Sequence, residues 1–245
     1  DKTYLTSLYE QENVRFDTDT VSRFFVHSES RLDYDQFSLP HNILSASQYM
    51  QTHGEKLLAA EEIFDVDREV ITAIILVETR LGAYTGTASI LDTLSTMASL
   101  TEQSLRDFLW EQIPPARRFQ RSEYESKAQR KSDWAYTELK AFLRYTIQES
   151  IAPAEVKGSY AGAMGISQFM PSNIPKLAKD GNNDGRINLF DHADAIMSVA
   201  NYLHYHGWRK QMNKDDAFKV ILRYNNSKYY ANAILKVADL LKGPS

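Results

Sequence analysis

The segment between Asp65 and Gly82 constrains the fold most strongly, because its centre is a nearly unbroken apolar stretch. Residues 70–77 read Val-Ile-Thr-Ala-Ile-Ile-Leu-Val. Asp65 is placed to cap the start of a helix and Gly82 to end it, so we expect a helix over about 66–81. One face of this helix is apolar and is expected to be buried.

Glu78 lies on that apolar face. Ile71, Ile74, Ile75 and Glu78 have the spacing i, i+3, i+4 and i+7, which places all four side chains together. Burial disfavours an ionised carboxylate, and so does the negative end of the helix dipole. We therefore expect the pKa of Glu78 to be raised, which suits a general acid. A structural ion pair fits the same pattern, and the helix alone does not decide between them.

Most of the remaining sequence also has helical periodicity, whereas strand signals are short and scattered. The sequence therefore predicts a mainly α-helical fold with at most a small sheet. The further predicted helices lie near 43–62, 88–111, 133–149, 191–206, 215–223 and 228–241.

Composition excludes several classes of protein. The 245 residues include no cysteine, so thiolate nucleophiles, disulfides and cysteine-ligated metals are ruled out. A net charge of −4 argues against a nucleic-acid partner. No apolar run approaches the roughly 20 residues of a membrane span. The first residues, Asp1-Lys2-Thr3-Tyr4, lack the apolar region of a signal peptide, so we expect either a cytosolic protein or a targeting segment outside this chain.

Residues 158–165 form a segment rich in small side chains. It contains three glycines, two alanines and one serine, which would let a bulky ligand approach the backbone closely. Ser159 could hydrogen-bond the Glu78 carboxyl from here. A tight connection between two helices, with no ligand, explains the composition equally well.

A second loop, beginning at Asp180, has the pattern of a calcium-binding EF-hand loop. It reads Asp-Gly-Asn-Asn-Asp-Gly-Arg-Ile, with oxygen donors at positions 1, 3 and 5 and glycine at position 6. Position 12 is Asp191, which is shorter than the usual glutamate, so Asp194 is the alternative ligand. An Asn/Asp/Gly turn without metal is the competing interpretation.

These motifs occur in an order that resembles a known family. They are Glu78-Thr79-Arg80-Leu81-Gly82, the segment 159–171 (SYAGAMGISQFMP), the loop 180–194, and Tyr224-Asn225-Asn226-Ser227. Together they resemble the lytic murein transglycosylase B family, which has a lysozyme-like core. The resemblance is dense over 60–100 and 153–240 and thin over 1–50 and 110–150.

The resemblance implies an α+β lysozyme-like architecture of mainly α content, with a small EF-hand-like loop and a helical insert. Residues 1–60 would form an N-terminal arm and helix that pack on the core. Residues 61–98 and 150–242 would form the catalytic core, and 99–149 the insert.

The resemblance also assigns roles to residues. Glu78 matches the single catalytic acid/base, and Ser159 matches the serine that hydrogen-bonds it. The positions implied to bind substrate along the glycan cleft, besides Ser159, are Gln168, Tyr202, Tyr224, Asn225 and Tyr230. The calcium loop of this family is longer than 12 residues, which favours Asp180, Asn182, Asp184, the Arg186 carbonyl and Asp194 as ligands.

The implied activity is cleavage of the β-1,4 bond between N-acetylmuramic acid and N-acetylglucosamine in peptidoglycan, with formation of 1,6-anhydromuramic acid ends. We expect no catalytic cofactor, a structural Ca²⁺ ion, peptidoglycan strands as the partner and a monomer. Proteins of cell-wall synthesis or division are possible further partners, which the sequence does not identify. The location would be the periplasm or outer membrane of a Gram-negative-type bacterium. The alternatives are a hydrolytic muramidase or chitinase-like glycosidase, and a non-catalytic peptidoglycan-binding module.

Overall fold

The computed structural model describes residues 2–26 and 33–243. Within these ranges the secondary structure is almost entirely helical. The helices are α1 (Lys2–Tyr9), α2 (Thr18–Val26), α3 (Pro40–Thr52), α4 (Gly54–Phe64), α5 (Arg68–Thr79), α6 (Ile90–Ala98), α7 (Gln103–Gln112), α8 (Arg121–Gln148), α9 (Ile174–Leu177), α10 (His192–Tyr205), α11 (Lys214–Tyr224) and α12 (Lys228–Lys242). Short 3-10 turns lie at Asp35–Ser38, Ser99–Thr101, Pro115–Arg117, Pro153–Glu155 and Pro171–Asn173.

The sheet is small, as the sequence predicts. Strand β1 (Ala88–Ser89) pairs antiparallel with β2 (Lys157–Gly158), and Ala88 lies opposite Gly158. A Cβ atom at Gly158 would lie 2.2 Å from the Ala163 carbonyl oxygen, so only glycine fits there. The small residues of 158–165 therefore allow this loop to fold back on its own strand.

The described residues form two compact units. The first contains 2–26, 86–164 and 169–174, and the second contains 33–85, 165–168 and 175–243. The sequence predicts different boundaries, with residues 1–60 as an N-terminal arm and helix that pack on the core and residues 99–149 as a helical insert. In the structure, residues 2–26 group with the helices of 86–164, whereas α3 and α4 belong with α5.

In the first unit, α6 packs along the long helix α8. Hydrogen bonds then attach the N-terminal segment to α6. The Arg15 amide donates to Asp92 (3.2 Å) and the Asp17 amide donates to Thr96 (2.8 Å). These tertiary contacts stabilise a segment whose own sequence has only weak periodicity.

In the second unit, α5 is the central helix. It packs against α12, α3, α10 and α4. Ile71, Ile74 and Ile75 have no exposed surface, as their spacing predicts. The predicted cap was wrong. Asp67 precedes the helix, whereas Asp65 has a left-handed backbone (φ 55°) and ends α4.

No helix in the described ranges is both long enough and apolar enough to cross a membrane.

Candidate active site

Glu78 lies in the last turn of α5, at a sharply turned helix end. Its side chain is half-buried. The three residues that follow Thr79 all have positive φ: Arg80 at 51°, Leu81 at 63° and Gly82 at 85°. Left-handed backbone costs about 1 kcal/mol at a residue with a side chain, so the surrounding structure must hold this turn. Such strained turns concentrate at functional sites.

Thr79 shows how the turn is held. Its hydroxyl donates to the Ile166 carbonyl (2.9 Å) and accepts from the Gly82 amide (3.1 Å). A Cβ atom at Gly82 would lie 2.9 Å from the His192 side chain, so this close approach and the positive φ both require glycine. The helix end that carries Glu78 is therefore fixed to the segment 165–168.

The Glu78 carboxyl accepts a short hydrogen bond from Tyr230. The Tyr230 hydroxyl lies 2.6 Å from Glu78 Oε1, and the tyrosine is only 1% exposed. Ser227 caps the start of α12 by accepting from the Tyr230 amide (3.3 Å), which positions the ring. Burial raises the pKa of Tyr230 well above its usual value, and the nearby Glu78 carboxylate raises it further. Tyr230 therefore keeps its proton and acts as a donor to Glu78.

Two more predicted residues, Tyr224 and Tyr202, lie beside this pair. The Tyr224 hydroxyl donates to the Ser167 carbonyl (2.5 Å), and burial together with Glu78 raises its pKa. The Tyr202 ring meets the Tyr224 ring edge-on at 4.7 Å, and the Tyr202 hydroxyl donates to the Arg223 carbonyl (2.5 Å). Both hydroxyls donate to backbone carbonyls, so the two rings are held in place, with Tyr224 near Glu78 and Tyr202 packed against Tyr224.

Gln168 has a fixed orientation. Its backbone is left-handed (φ 49°), and its side-chain Nε2 donates to the carbonyls of Thr85 (3.0 Å) and Gly165 (2.9 Å). Both N–H bonds are used by carbonyls, so the amide oxygen is left as an acceptor. A sugar hydroxyl or amide N–H is the type of group that this oxygen can bind.

The last two predicted substrate residues are Asn225 and Ser159. Asn225 is half-buried and ends α11, where its carbonyl accepts from the Ser227 amide (2.8 Å). Ser159 belongs to the first unit, where its hydroxyl oxygen accepts from the amides of Ala161 (3.3 Å) and Ala163 (3.0 Å). The Ser159 O–H remains able to donate, and its role toward Glu78 stays a prediction.

The loop 180–194 is organised by its own carboxylates. Asp180 accepts from the amides of Asn183 (2.7 Å), Asp184 (3.2 Å) and Gly185 (2.8 Å). Asp194 has no exposed surface, and its oxygens accept from several backbone amides of the loop: those of Gly181 (2.8 Å), Asn182 (3.4 Å) and Asn188 (2.7 Å). Burial raises the pKa of Asp194, although these hydrogen bonds oppose the rise. The loop thus folds around Asp194.

The same loop was predicted to bind calcium through Asp180, Asn182, Asp184, the Arg186 carbonyl and Asp194. These groups are all oxygen donors, as Ca²⁺ requires. Asp191 has another task, since its carboxylate caps α10 by accepting from the amides of Ala193 (2.8 Å) and Asp194 (3.3 Å). In the described residues no group of three or more His, Asp or Glu side chains is placed to hold a metal. The donors fit calcium in kind but are not gathered into a carboxylate-rich site.

Comparison with known proteins shows the family. The family model described as "Transglycosylase SLT domain" matches residues 5–215, which is most of the chain. The chain belongs to the transglycosylase SLT domain family. The predicted resemblance and the mainly α lysozyme-like fold are therefore confirmed.

The chain is similar to three lytic transglycosylases from Escherichia coli and Pseudomonas aeruginosa. The membrane-bound lytic murein transglycosylase B of Escherichia coli K12 is 35% identical over 175 residues, which cover 71% of this chain and 41% of that protein. The chain thus spans less than half the length of this curated relative. Soluble lytic transglycosylase SltB1 of Pseudomonas aeruginosa is 26% identical, with a TM-score of 0.79 over 98% of this chain and 93% of that one. E. coli Slt35 in complex with calcium is 25% identical, with a TM-score of 0.78 over 99% and 88%.

Three residues of the site in this family member were not singled out from the sequence. The Thr79 hydroxyl fixes the end of α5 by donating to the Ile166 carbonyl, and the Ser167 carbonyl accepts from the Tyr224 hydroxyl. Both residues lie within the sequence motifs of the family, and those motifs could have pointed to them. Tyr34 meets the Tyr230 ring edge-on at 6.2 Å. It falls in 1–50, where the resemblance is thin and gives no signal.

Proposed function

We propose that this protein is a lytic transglycosylase that cleaves the β-1,4 bond between N-acetylmuramic acid and N-acetylglucosamine in peptidoglycan, with Glu78 as its acid/base. The observation that carries the proposal is the half-buried Glu78 carboxyl, held at 2.6 Å by the buried Tyr230 hydroxyl at the end of a rigid helix. Family membership supports the reaction class.

The reaction uses one carboxyl group twice. Glu78 gives its proton to the glycosidic oxygen as the bond from C1 breaks, which leaves an oxocarbenium-like centre. The substrate's own 2-acetamido group stabilises this centre. Ionised Glu78 then removes the proton from the 6-hydroxyl, and O6 bonds to C1 to close the 1,6-anhydro ring. Glu78 ends protonated, as it began, and no water is consumed.

The contact with Tyr230 suits this double role. A hydroxyl donor stabilises the carboxylate more than the carboxylic acid, so Tyr230 lowers the free energy of the state between the two steps. It also fixes the direction of the carboxyl group, since Tyr230 is buried and cannot rotate freely. Tyr230 thereby acts on Glu78, in addition to the substrate-lining role expected from the sequence.

The other predicted residues would serve the glycan. The fixed acceptor oxygen of Gln168 suits a hydroxyl or acetamido N–H of the sugar. Tyr224 and Tyr202 offer ring surface, and Asn225, which ends α11, offers an amide. Ser159 would donate its O–H toward Glu78.

The test is product analysis after digestion of purified peptidoglycan. We expect products lighter by one water than those of hydrolysis, because the anhydro ring replaces a reducing end. Glu78→Gln should fold normally and release none, since an amide cannot donate the proton. Hydrolysed, full-mass products would instead identify a muramidase, and cleavage by Glu78→Gln at a near-normal rate would refute the role of Glu78.

A structural calcium ion is proposed for the loop 180–194, held by Asp180, Asn182, Asp184, the Arg186 carbonyl and Asp194. The oxygen-only donor set supports it, and so does the structure of Slt35 in complex with calcium. The ion would join the start of α10 to the loop and has no part in the proton transfers. The protein would act as a monomer on peptidoglycan in the periplasm or at the outer membrane. The relative from E. coli is membrane-bound by name.

A further inference from the structure

A buried carboxylate joins the start of α5 to the end of α12. Asp67, which precedes α5, is only 8% exposed. Its Oδ1 accepts from Lys242 Nζ at 2.9 Å, and its Oδ2 accepts from the Trp208 indole Nε1 at 3.0 Å. Trp208 is itself buried. No step of the proposed reaction uses any of these three side chains.

The place of Asp67 in the chain makes these contacts unusual. A carboxylate directly before a helix ordinarily accepts from an amide of the first helical turn, which stabilises the helix by about 1 kcal/mol. The Asp67 side chain makes no such bond to α5. Both of its oxygens instead accept from residues outside that helix. Asp67 therefore links α5 to neighbouring elements.

This link and the contact at Glu78 lie at opposite ends of one helix pair. Helices α5 and α12 pack against each other. They run antiparallel, because Asp67 meets Lys242 at one end and Glu78 meets Tyr230 at the other. At about 1.5 Å per residue, the rise is about 16 Å from Asp67 to Glu78 and about 18 Å from Tyr230 to Lys242. The two contacts therefore span the same length of the pair.

The surfaces between the two contacts are apolar. Ile71 of α5 and Ile234 and Val237 of α12 belong to one buried cluster. Apolar attraction is not directional, so it specifies the axial register of two helices less sharply than bonds between polar groups do. A slide of α12 by the rise of one residue, about 1.5 Å, would break the 2.6 Å bond from Tyr230 to Glu78.

We propose that Lys242 is a positioning residue for Glu78: its ion pair with Asp67 sets the register of α12 on α5 and so holds the Tyr230 hydroxyl at the Glu78 carboxyl. The inference rests on the proposed function in taking Glu78 as the acid/base. A direct effect of the Lys242 charge on Glu78 is small, because a separation of about 16 Å exceeds the Debye length of about 8–10 Å. Lys242 acts through the placement of α12.

The test follows the titration of Glu78 without substrate. The probe is the side-chain carboxyl carbon resonance of Glu78 in protein labelled at glutamate, identified by its absence from Glu78→Gln. Lys242→Met removes the ion pair from a side chain that is 46% exposed, so it leaves no cavity in the core. We expect the titration midpoint of Glu78 to move to higher pH by about half to one pH unit, which is part of the effect of losing a whole hydrogen bond to a charged group. Lys242→Arg can pair with Asp67 again and should restore most of the original titration.

Tyr230→Phe shows whether the effect passes through the Tyr230 hydroxyl. In that background the hydrogen bond to Glu78 is already absent, so Lys242→Met should move the midpoint no further. The alkaline limb of the rate of anhydro-product release should follow the same pattern. A role of Lys242 in stability alone would lower the free energy of unfolding and leave the midpoint of Glu78 in place.

The matched control is Lys214→Met. Lys214 also pairs with a carboxylate, since its Nζ lies 2.8 Å from Asp239. It lines the same small cavity as Lys242 and Asp67. This variant loses the same charge from the same part of the unit and should leave the midpoint of Glu78 unchanged.

An unmoved midpoint in Lys242→Met would overturn the inference. So would an equal movement in Lys214→Met, because the effect would then follow net charge. A full further movement in the Tyr230→Phe background would overturn it as well, since the effect would not need the hydroxyl. The proposed function is tested separately by its products. A protein with the coupled titration that releases hydrolysed products would retain the positioning role of Lys242 and lose the proposed transglycosylase reaction.

Discussion

Tyr230→Phe tests the link between the buried hydroxyl and Glu78. The change removes one oxygen atom and leaves the ring that fills this part of the core. The lost hydrogen bond, 2.6 Å long, favours the ionised form of Glu78. Without it Glu78 should keep its proton to higher pH. The alkaline limb of the pH profile of kcat/KM, which reports loss of the proton from the essential acid, should therefore move to higher pH.

The size of the movement follows from the type of bond. A hydrogen bond to a charged group contributes about 1.5–3 kcal/mol. Since one pKa unit corresponds to about 1.36 kcal/mol, the limb should move by about one to two pH units. The assay is the initial rate of anhydro-product release from peptidoglycan across pH, at substrate concentrations well below KM. An alkaline limb that stays in place, or that moves to lower pH, would refute the reasoning.

Tyr124→Phe is the control for the loss of a buried hydroxyl. Tyr124 has no exposed surface, and its hydroxyl donates to the Arg106 carbonyl (2.8 Å) in the first unit. It should cost about 1 kcal/mol of unfolding free energy, as expected for an ordinary hydrogen bond, and leave the pH profile unchanged. A movement of the limb in this variant would show that general loosening, rather than the contact with Glu78, governs the profile.

Three further predictions concern stability. The Ser167 hydroxyl is buried with no hydrogen-bond partner in the part of the chain that the structure describes. Ser167→Ala should therefore raise the free energy of unfolding by about 1 kcal/mol in urea titrations. A loss of stability would show that a partner exists. Burial raises the pKa of Asp92, so the stability that its protonated form provides is present at low pH and is lost as pH rises through the folded-state pKa. Asp92→Asn keeps an acceptor for the Arg15 amide. This variant should have a higher urea midpoint than the wild type near neutral pH, and the difference should vanish in acid. The opposite trend would contradict the burial argument. Chelation of calcium should lower the melting temperature, and added calcium should restore it. Asp184→Asn should abolish this response. A melting temperature of the unaltered protein that does not change with calcium would exclude the proposed ion.

The apolar pattern of α5 was sufficient to predict the helix and the face that carries Glu78. The ends of helices were harder to predict. The predicted helix 43–62 is two helices that meet near Gly54, and 88–111 is broken by the 3-10 turn Ser99–Thr101. A turn of this kind is fixed by packing, since no proline or glycine marks it in the sequence. The hydrophobic pattern therefore predicts that a helix is present more reliably than it predicts the residues at which the helix begins and ends.

Helices that depend on tertiary contacts were missed. The sequences of α1 and α2 mix polar and aromatic residues with weak periodicity. The hydrogen bonds from Arg15 and Asp17 to α6 become visible only in the structure. The predicted helix at 133–149 covers only the second part of α8, which is continuous over Arg121–Gln148. Charged residues on a solvated face carry little periodic signal.

The candidate site was predicted residue by residue only where a motif existed. The sequence pointed to Glu78 and Tyr230 but not to the hydrogen bond between them, because a tyrosine's polar tip can face either the core or a groove. Tyr34 could not be found, since no motif surrounds it. Sequence therefore identified the chemical groups, and the structure supplied their directions.

The segment 165–168 is tied to two different helices, through the Ile166 carbonyl to α5 and through the Ser167 carbonyl to α11. Heat cannot displace this segment without also disrupting the interior of the second unit. Catalytic activity should therefore persist up to the melting temperature and be lost in the same transition. This behaviour differs from that of enzymes in which an active-site loop unfolds locally at a lower temperature.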